Sequence, residues 1–571
     1  VTVRPIRYAF VPAILVAVAF ATARAGETHS SSERIRELAA QDDKVMVELD
    51  HLVNKIGPRL TGSSNIAKAY EWTRSEFERF GLQDAHTETW GEWAVGFDRA
   101  GPTTGKIITA EGENALVCQT MAWTAGTNGA RRGPAIWEPR SDAELDAVKD
   151  KLPGAWVVSR QVGRRGGNSG GPDITREERA RVRKAIDEIA IAGRVVTSGR
   201  ETIITDGSPR GLTMQKLPTR VTVFVNGPSY DAVKKSLEAG EKTELEFDAK
   251  NVFVAGPVQN KNVIADLRGT EHPDELVIVG GHLDSWDGAT GTQDNGTGVA
   301  TTLEAARLLA ASGIHPKRTI RFILWSGEEQ GLLGSAGYVK THAAELAKIS
   351  AVLVHDGGTN YVSGMPVTSA MAKLVKPALA SLEKWDAQMP FVVREVAHLP
   401  VGIGSDQDTF LMHGVPGFFW DQKGRVNYER IHHTQYDTFD GAVAEYEHHS
   451  AVTIAMAAAA IADLDTLLPR EDMLAPRGER GPRKMLGVQT SEDLVIDAVV
   501  EGSLAEKAGL KEGDKITSIG GKAVASPQEL RDAIREAEGD TEVAFVRDGK
   551  AQKAVASFEK KKPAAVKKRF Y

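Results

Sequence analysis

Four short apolar runs limit the folding of this chain more than any other feature. "ELVIVGGHLD", "TIRFILWSG", "AVLVHDGG" and "PGFFWD" are rich in β-branched and aromatic residues and end in glycine, serine or an acid. Runs this apolar, without polar alternation, suit strands covered on both faces. Segments with helical spacing, such as "GVATTLEAARLLAASG" and "AVTIAMAAAAIADLDTLL", lie between or after them. From Asn262 to about Leu468 the alternation predicts an α/β fold, a mostly parallel sheet sandwiched by helices. Functional groups in such sheets gather at the carboxyl ends of the strands.

The chain has 571 residues, more than one ordinary domain holds. Ser31 to about Trp90 reads as helical, with "KAYEWTRSEFERFGL" amphipathic and Gly81 a helix stop. Residues 31–111 and 251–468 are expected to form two parts of one main domain. Residues 112–250 differ in texture: "GAWVVS", "GRVVTSG" and "TRVTVFVNG" alternate with helical pieces such as "TREERARVRKAIDEIAIAG", which predicts an inserted α+β or β domain. Its "GRRGGNSGGP" stretch lacks the Gly-Lys-Ser/Thr of a phosphate-binding loop and reads as a surface loop. Residues 469–484 are polar and proline-bearing, a linker; 485–558 form a compact β-rich module; 559–571 are a basic, solvated tail.

A net charge of −7 leaves no basic footprint for nucleic acid, and the single Cys118 excludes an internal disulfide. Residues 1–25 read as an export signal: Arg4 and Arg7, the apolar "YAFVPAILVAVAFA", then Ala23-Arg24-Ala25 before Gly26. The apolar run is shorter than a typical spanning helix, so cleavage is expected, with no stable membrane span and a periplasmic or secreted product.

The strand ends carry an ordered series of acids and histidines. His282 closes "VIVGGHLD", Asp284 follows, Asp294 lies in "GTQDNGTG", Glu328 and Glu329 follow "RFILW", Asp356 follows "AVLVH", and His433 stands in "IHHTQYDTFD". Any one of them alone would ordinarily be a cap or a surface group. Together they suit Zn²⁺ or another divalent transition ion. Five ligands exceed one tetrahedral ion and fit two if Asp294, in a glycine-rich turn, bridges. The first ion takes His282, Asp294 and Asp356, and the second takes Asp294, Glu329 and His433. Asp284 receives the other imidazole N–H of His282. Adjacent residues point in different directions, so Glu328 and Glu329 need not compete for one ion.

The motifs "GGHLDSWD", "DNGTG", "SGEEQGLLGS", "HDGG" and "HHTQYDT", in that order, resemble the zinc aminopeptidase and glutamate carboxypeptidase family, metallopeptidase family 28. The resemblance covers roughly Val45 to Leu468. It implies a zinc-exopeptidase-like fold, and two Zn²⁺ on His282, Asp294, Glu329, Asp356 and His433. It also implies Glu328 as general base toward a metal-bridged water, a cis peptide at Asp294–Asn295, and a protease-associated domain at 112–250. In glutamate-carboxypeptidase-like members a tyrosine precedes the last metal histidine and supports the oxyanion. Here His432 stands there, which leaves His432 and Tyr428 as candidates. "GIGSDQDTF" occupies the region that lines the substrate site in relatives, with Ser405, Asp406 and Thr409 as contacts for the substrate's terminus. The implied activity is exopeptidase cleavage of small peptides, as a dipeptidase, aminopeptidase or carboxypeptidase. An acidic Asp406 suits an amine terminus. Residues 485–558 resemble a PDZ domain, with Leu486, Gly487 and Val488 matching the loop that cradles a peptide C-terminus. A PDZ-led interaction protein with secondary peptidase activity is the alternative, and a homodimer is compatible with either.

Overall fold

The computed structural model describes residues 31–162, 174–475, 485–490, 494–499, 503–525 and 527–558. The export signal, the loop from Gly163 to Pro172, residues 476–484 of the linker and the basic tail lie outside the described residues. Among the described residues no helix is long and apolar enough to cross a membrane.

The main domain is built on a six-stranded sheet with strand order Gln83–Arg99, Asn251–Leu267, Arg318–Trp325, His272–His282, Ile349–Val354, Gly417–Phe419. Asn251–Leu267 runs antiparallel to both of its neighbours, and the remaining pairings are parallel. The side chains of His272–His282 alternate between two apolar layers. Val277 and Val279 face the large core with helices Ser64–Arg79, Thr297–Ser312 and Ala444–Ala462, while Leu276 and Ile278 pack with Trp325, Tyr338 and Phe410. Burial on both faces is why these strands lack polar alternation. A separate three-stranded sheet, Val392–Val396, Tyr361–Thr368 and Asp421–Lys423, lies beside the large core.

The texture predicted helix through Trp90, but the chain turns to strand at Gln83. Phe80 caps the helix, Gly81 adopts φ 84°, and "DAHTETWGEWAVGF" then pairs along Asn251–Leu267. Tertiary pairing of threonine and aromatic residues overrides the helical lead-in. The insertion has its own eight-stranded sheet and its own core around Trp156, Val195, Val223 and Phe247. Its sheet already includes Thr104–Thr109, so it begins before the texture change at Gly112.

The C-terminal module pairs Val488–Thr490 with Ile496–Val499, beside a four-stranded antiparallel sheet and helix Pro527–Glu536. Asp514 accepts two bonds from Arg547, at 2.6 and 2.7 Å. In the Leu486–Val488 loop Gly487 has φ 86°, and a Cβ there would stand 2.1 Å from Ser503 Cβ, so no larger residue fits.

Candidate metal centre

His282 ends its strand fully buried, and Nδ1 lies 2.9 Å from the backbone oxygen of Asp284. An Nδ1–H donated there leaves Nε2 free to accept or to ligate. The Asp284 carboxylate, expected as that partner, stands 3.6 Å away and does other work. It accepts the Thr61 hydroxyl at 2.8 Å and the backbone N–H groups of Glu328 and Glu329 at 3.3 Å each. Asp284 therefore fixes the turn after Trp325 that presents both glutamates.

His282 Nε2 is 3.1 Å from Asp294 Oδ1 and 3.1 Å from Asp356 Oδ1. His433 Nε2 is 3.1 Å from Asp294 Oδ2 and 2.8 Å from Glu329 Oε2. The two halves of the Asp294 carboxylate thus face different histidines. The donor set suits zinc: neighbouring ligands of a tetrahedral ion with bonds of about 2.0–2.1 Å lie about 3.3 Å apart. Glu329 Oε1 is buried without a hydrogen-bond partner, as an unfilled ligand atom would be. The ligand atoms of His282, Asp294 and Asp356 lie within 4.8 Å of one another, and so do those of Asp294, His432 and His433. His432 stacks on His433 with ring centroids 3.8 Å apart, Tyr428 lies 5.2 Å from His432, and His432 Nε2 is 3.6 Å from Asp294 Oδ2. The bond across Asp294–Asn295 is cis. Asn295 Oδ1 accepts the Gly298 N–H at 3.0 Å and its amide donates to His355 O at 2.9 Å, tying the helix Thr297–Ser312 to the strand ends.

The acids crowd one another. Burial pushes Glu328 well above the ordinary carboxylate range, with Asp356 and Glu329 adding to it against the pull of His282. Burial, then Asp294, lifts Glu329 to about 7. Asp294 goes the other way: burial would raise it, but hydrogen bonds to His282 and His433 hold it well below. Burial would depress His282 and His433. Asp356 and Glu328 outweigh that at His282, and Glu329 and Asp294 carry His433 to about 11.

Two groups beneath the ligands were not singled out in the sequence. Asp437, inside the "HHTQYDT" motif, accepts the Gln293 N–H at 2.5 Å and the Asp294 N–H at 3.3 Å. Arg59, wholly buried, donates through Nε to Leu283 O at 2.8 Å and through Nη2 to Gly291 O at 2.7 Å. Its only sequence signal was a cation inside the glycine- and proline-flanked "IGPRLTGS".

The three expected substrate contacts diverge. Thr409 Oγ1 accepts the Ser335 hydroxyl at 3.0 Å, while Ser405 Oγ and both Asp406 carboxylate oxygens are buried without a partner. Burial lifts Asp406 to about 7, with Asp284 and Asp356 adding to it. The pocket at the metal ligands is lined instead by Thr205, Trp286, Ala289, Asp294, Glu329, His433, Thr434 and Asp437.

Comparison with known proteins gives two domain matches. The model for Peptidase family M28 matches residues 262–458, and a PDZ domain model matches residues 495–547. Carboxypeptidase Q of Rattus norvegicus is 26% identical over 425 residues, covering 73% of this chain and 85% of that protein. Leupeptin-inactivating enzyme 1 of Streptomyces exfoliatus is 40% identical over 130 residues, 22% of this chain and 28% of that protein. The crystal structure of a Peptidase M28 precursor from Shewanella amazonensis aligns with a TM-score of 0.55 at 22% identity, over 78% of this chain and 98% of that one.

Proposed function

We infer that this chain, a metallo-exopeptidase of peptidase family M28 with a C-terminal PDZ domain, is an exported two-zinc enzyme that clips terminal residues from small peptides. The observation that supports the reading most is the shared carboxylate of Asp294, whose Oδ1 and Oδ2 lie 3.1 Å from His282 Nε2 and His433 Nε2 respectively. His282, Asp294 and Asp356 would hold one ion, and Asp294, Glu329 and His433 the other. When bound, the ions supply Lewis-acid polarisation of the scissile carbonyl and activation of water.

The chain's own residues do the rest. Glu328, its Oε2 3.9 Å from His282 Nε2, takes a proton from the attacking water and returns it to the leaving amine. Its raised affinity for a proton suits both halves of that cycle. Asp284 keeps Glu328 and Glu329 in place through their backbone N–H groups. His432, half-exposed and stacked on His433, donates to the developing oxyanion. Asp406, buried with neither oxygen partnered, receives the substrate's terminal ammonium, which favours aminopeptidase or dipeptidase action. The PDZ loop Leu486–Val488 receives a peptide C-terminus, and the insertion is a protease-associated domain.

Replacing Glu328 with Gln lowers kcat by about 10²–10⁴-fold while zinc content stays at two per chain. Loss of zinc in that variant would overturn the division of labour between the adjacent glutamates. Turnover of free dipeptides against N- and C-blocked versions reads the required terminus directly.

A further inference from the structure

His433 sits at φ 59°, in the left-handed region that residues with a Cβ adopt uncommonly and that needs a local constraint to be held. The constraint comes from the insertion. Thr205 donates both its N–H, at 2.8 Å, and its hydroxyl, at 3.0 Å, to the backbone oxygen of His433. Ile204 forms an antiparallel bridge with Thr434, and the Ile203 N–H donates to Gln435 Oε1 at 2.9 Å. Glu201 accepts from Arg430 Nη2 at 3.1 Å and from the Tyr436 hydroxyl at 3.2 Å. The segment 201–205 therefore lies along 430–436, joined by one antiparallel bridge and these hydrogen bonds. Ile203, Thr205 and Thr434 are buried in the contact, and Thr205 also lines the metal pocket. On the far side of Thr205 is Gly288, where a Cβ would stand 1.8 Å from Thr205 Cγ2. Thr205 is held between that glycine and the His433 carbonyl.

We propose that Thr205 is a positioning residue for His433, so that the docked insertion sets the affinity of the second ion. The inference rests on the reading of His433 as a metal ligand. The oxygen that Thr205 grips belongs to the residue whose ring faces Asp294 and Glu329. Releasing it frees the backbone to leave the left-handed region and to swing the ring away from both carboxylates. His282, whose orientation is set by the Asp284 backbone oxygen, is unaffected. The effect is thus one-sided, on the second ion alone.

Zinc titration of the full chain against chelator-buffered zinc resolves the two sites. Thr205→Val keeps the branched shape and the N–H but removes the hydroxyl. It weakens the second site about tenfold, lowers kcat at limiting zinc more than it raises KM, and leaves the first site and the unfolding midpoint unchanged. Thr205→Ser, which keeps the hydroxyl, binds as the wild type. Gly288→Ala displaces Thr205 from behind and also weakens the second site. Adding Thr205→Ser to Gly288→Ala removes the clashing Cγ2 and restores it. Second-site affinity equal to wild type in both Thr205→Val and Gly288→Ala, or equal weakening of both sites, overturns the proposal. His433→Ala separates the two readings: retention of both ions there refutes the ligand assignment, whereas loss of one ion beside an unaffected Thr205→Val refutes the role of Thr205 alone.

Discussion

Replacing Arg59 with Met tests what holds the acids together. Arg59 is 0% exposed and is surrounded by Asp437, Asp284, Asp294 and Glu329. Burial pulls its guanidinium down to about 10, so it stays charged at neutral pH. Its two shortest bonds, 2.8 Å to Leu283 O and 2.7 Å to Gly291 O, brace the chain on either side of the "DSWDGATG" loop. A charged donor to a buried carbonyl contributes about 1.5–3 kcal/mol, so Arg59→Met costs about 3–6 kcal/mol. That is a large share of the 5–15 kcal/mol or so that stabilises a domain. The deficit depends on metal. With zinc bound the ions neutralise the carboxylates, whereas in chelator that charge falls to the protonated His282 and His433 and to Arg59. Urea unfolding followed by tryptophan fluorescence, with zinc and with chelator, therefore gives a larger loss in chelator. Arg59→Lys keeps the charge but not the fork, and recovers the metal dependence better than the stability. A Met variant within about 1 kcal/mol of wild type, against the 3 or more expected, or one with equal deficits in both conditions, refutes the reasoning.

Glu447 gives a pH signature away from the ligands. Burial lifts its carboxyl to about 8 from an ordinary value of 4.5, so between those values only the folded state holds the proton. Stability falls as pH rises through that window, by up to roughly 4 kcal/mol; Glu447→Gln flattens the urea midpoint between pH 5 and 8, and an unchanged slope sinks the assignment. Asp406→Asn raises KM for peptides with a free terminal amine about tenfold or more and leaves zinc content alone; an equal effect on N-blocked peptides would remove the ammonium contact. A chain ending at 475 tests the PDZ domain, which meets the peptidase through an exposed ion pair, Arg531 to Glu429, at 3.1 Å. Such pairs contribute little, so dipeptide turnover changes less than about twofold, and a larger loss would make the module part of the enzyme.

Local pattern carried much of this fold. Apolar runs without alternation marked the parallel strands, and glycine-flanked acids at their ends marked the proposed ligands, because desolvated carboxylates have few stable uses. The structure brings all five proposed ligands to one carboxyl edge, with Asp294 between two histidines. What pattern could not carry was long-range geometry. The Thr205 contact to His433 spans 228 residues and leaves no periodic trace. Nothing in the pattern around Arg59 announces its burial against Leu283 and Gly291. The side-chain partner expected for His282 was one atom set away from the true one, since spacing cannot tell a carboxylate from a backbone oxygen of the same Asp284. At Gln83 the helical lead-in masked a strand whose partner lies beyond the whole insertion.

That last pairing has a consequence for how the enzyme could diversify. Arg99 and Asn251 stand directly opposite each other, so the inserted domain leaves and re-enters the sheet at a single point. Topologically the two long strands are a hairpin whose turn has grown into a domain. Closing such a loop costs only slowly more as it lengthens, and the ends are already adjacent. The peptidase core can therefore accept inserts of very different size and shape without a change of strand register. Each exchange would bring its own segment to the His433 loop, and so change how that proposed ligand is held.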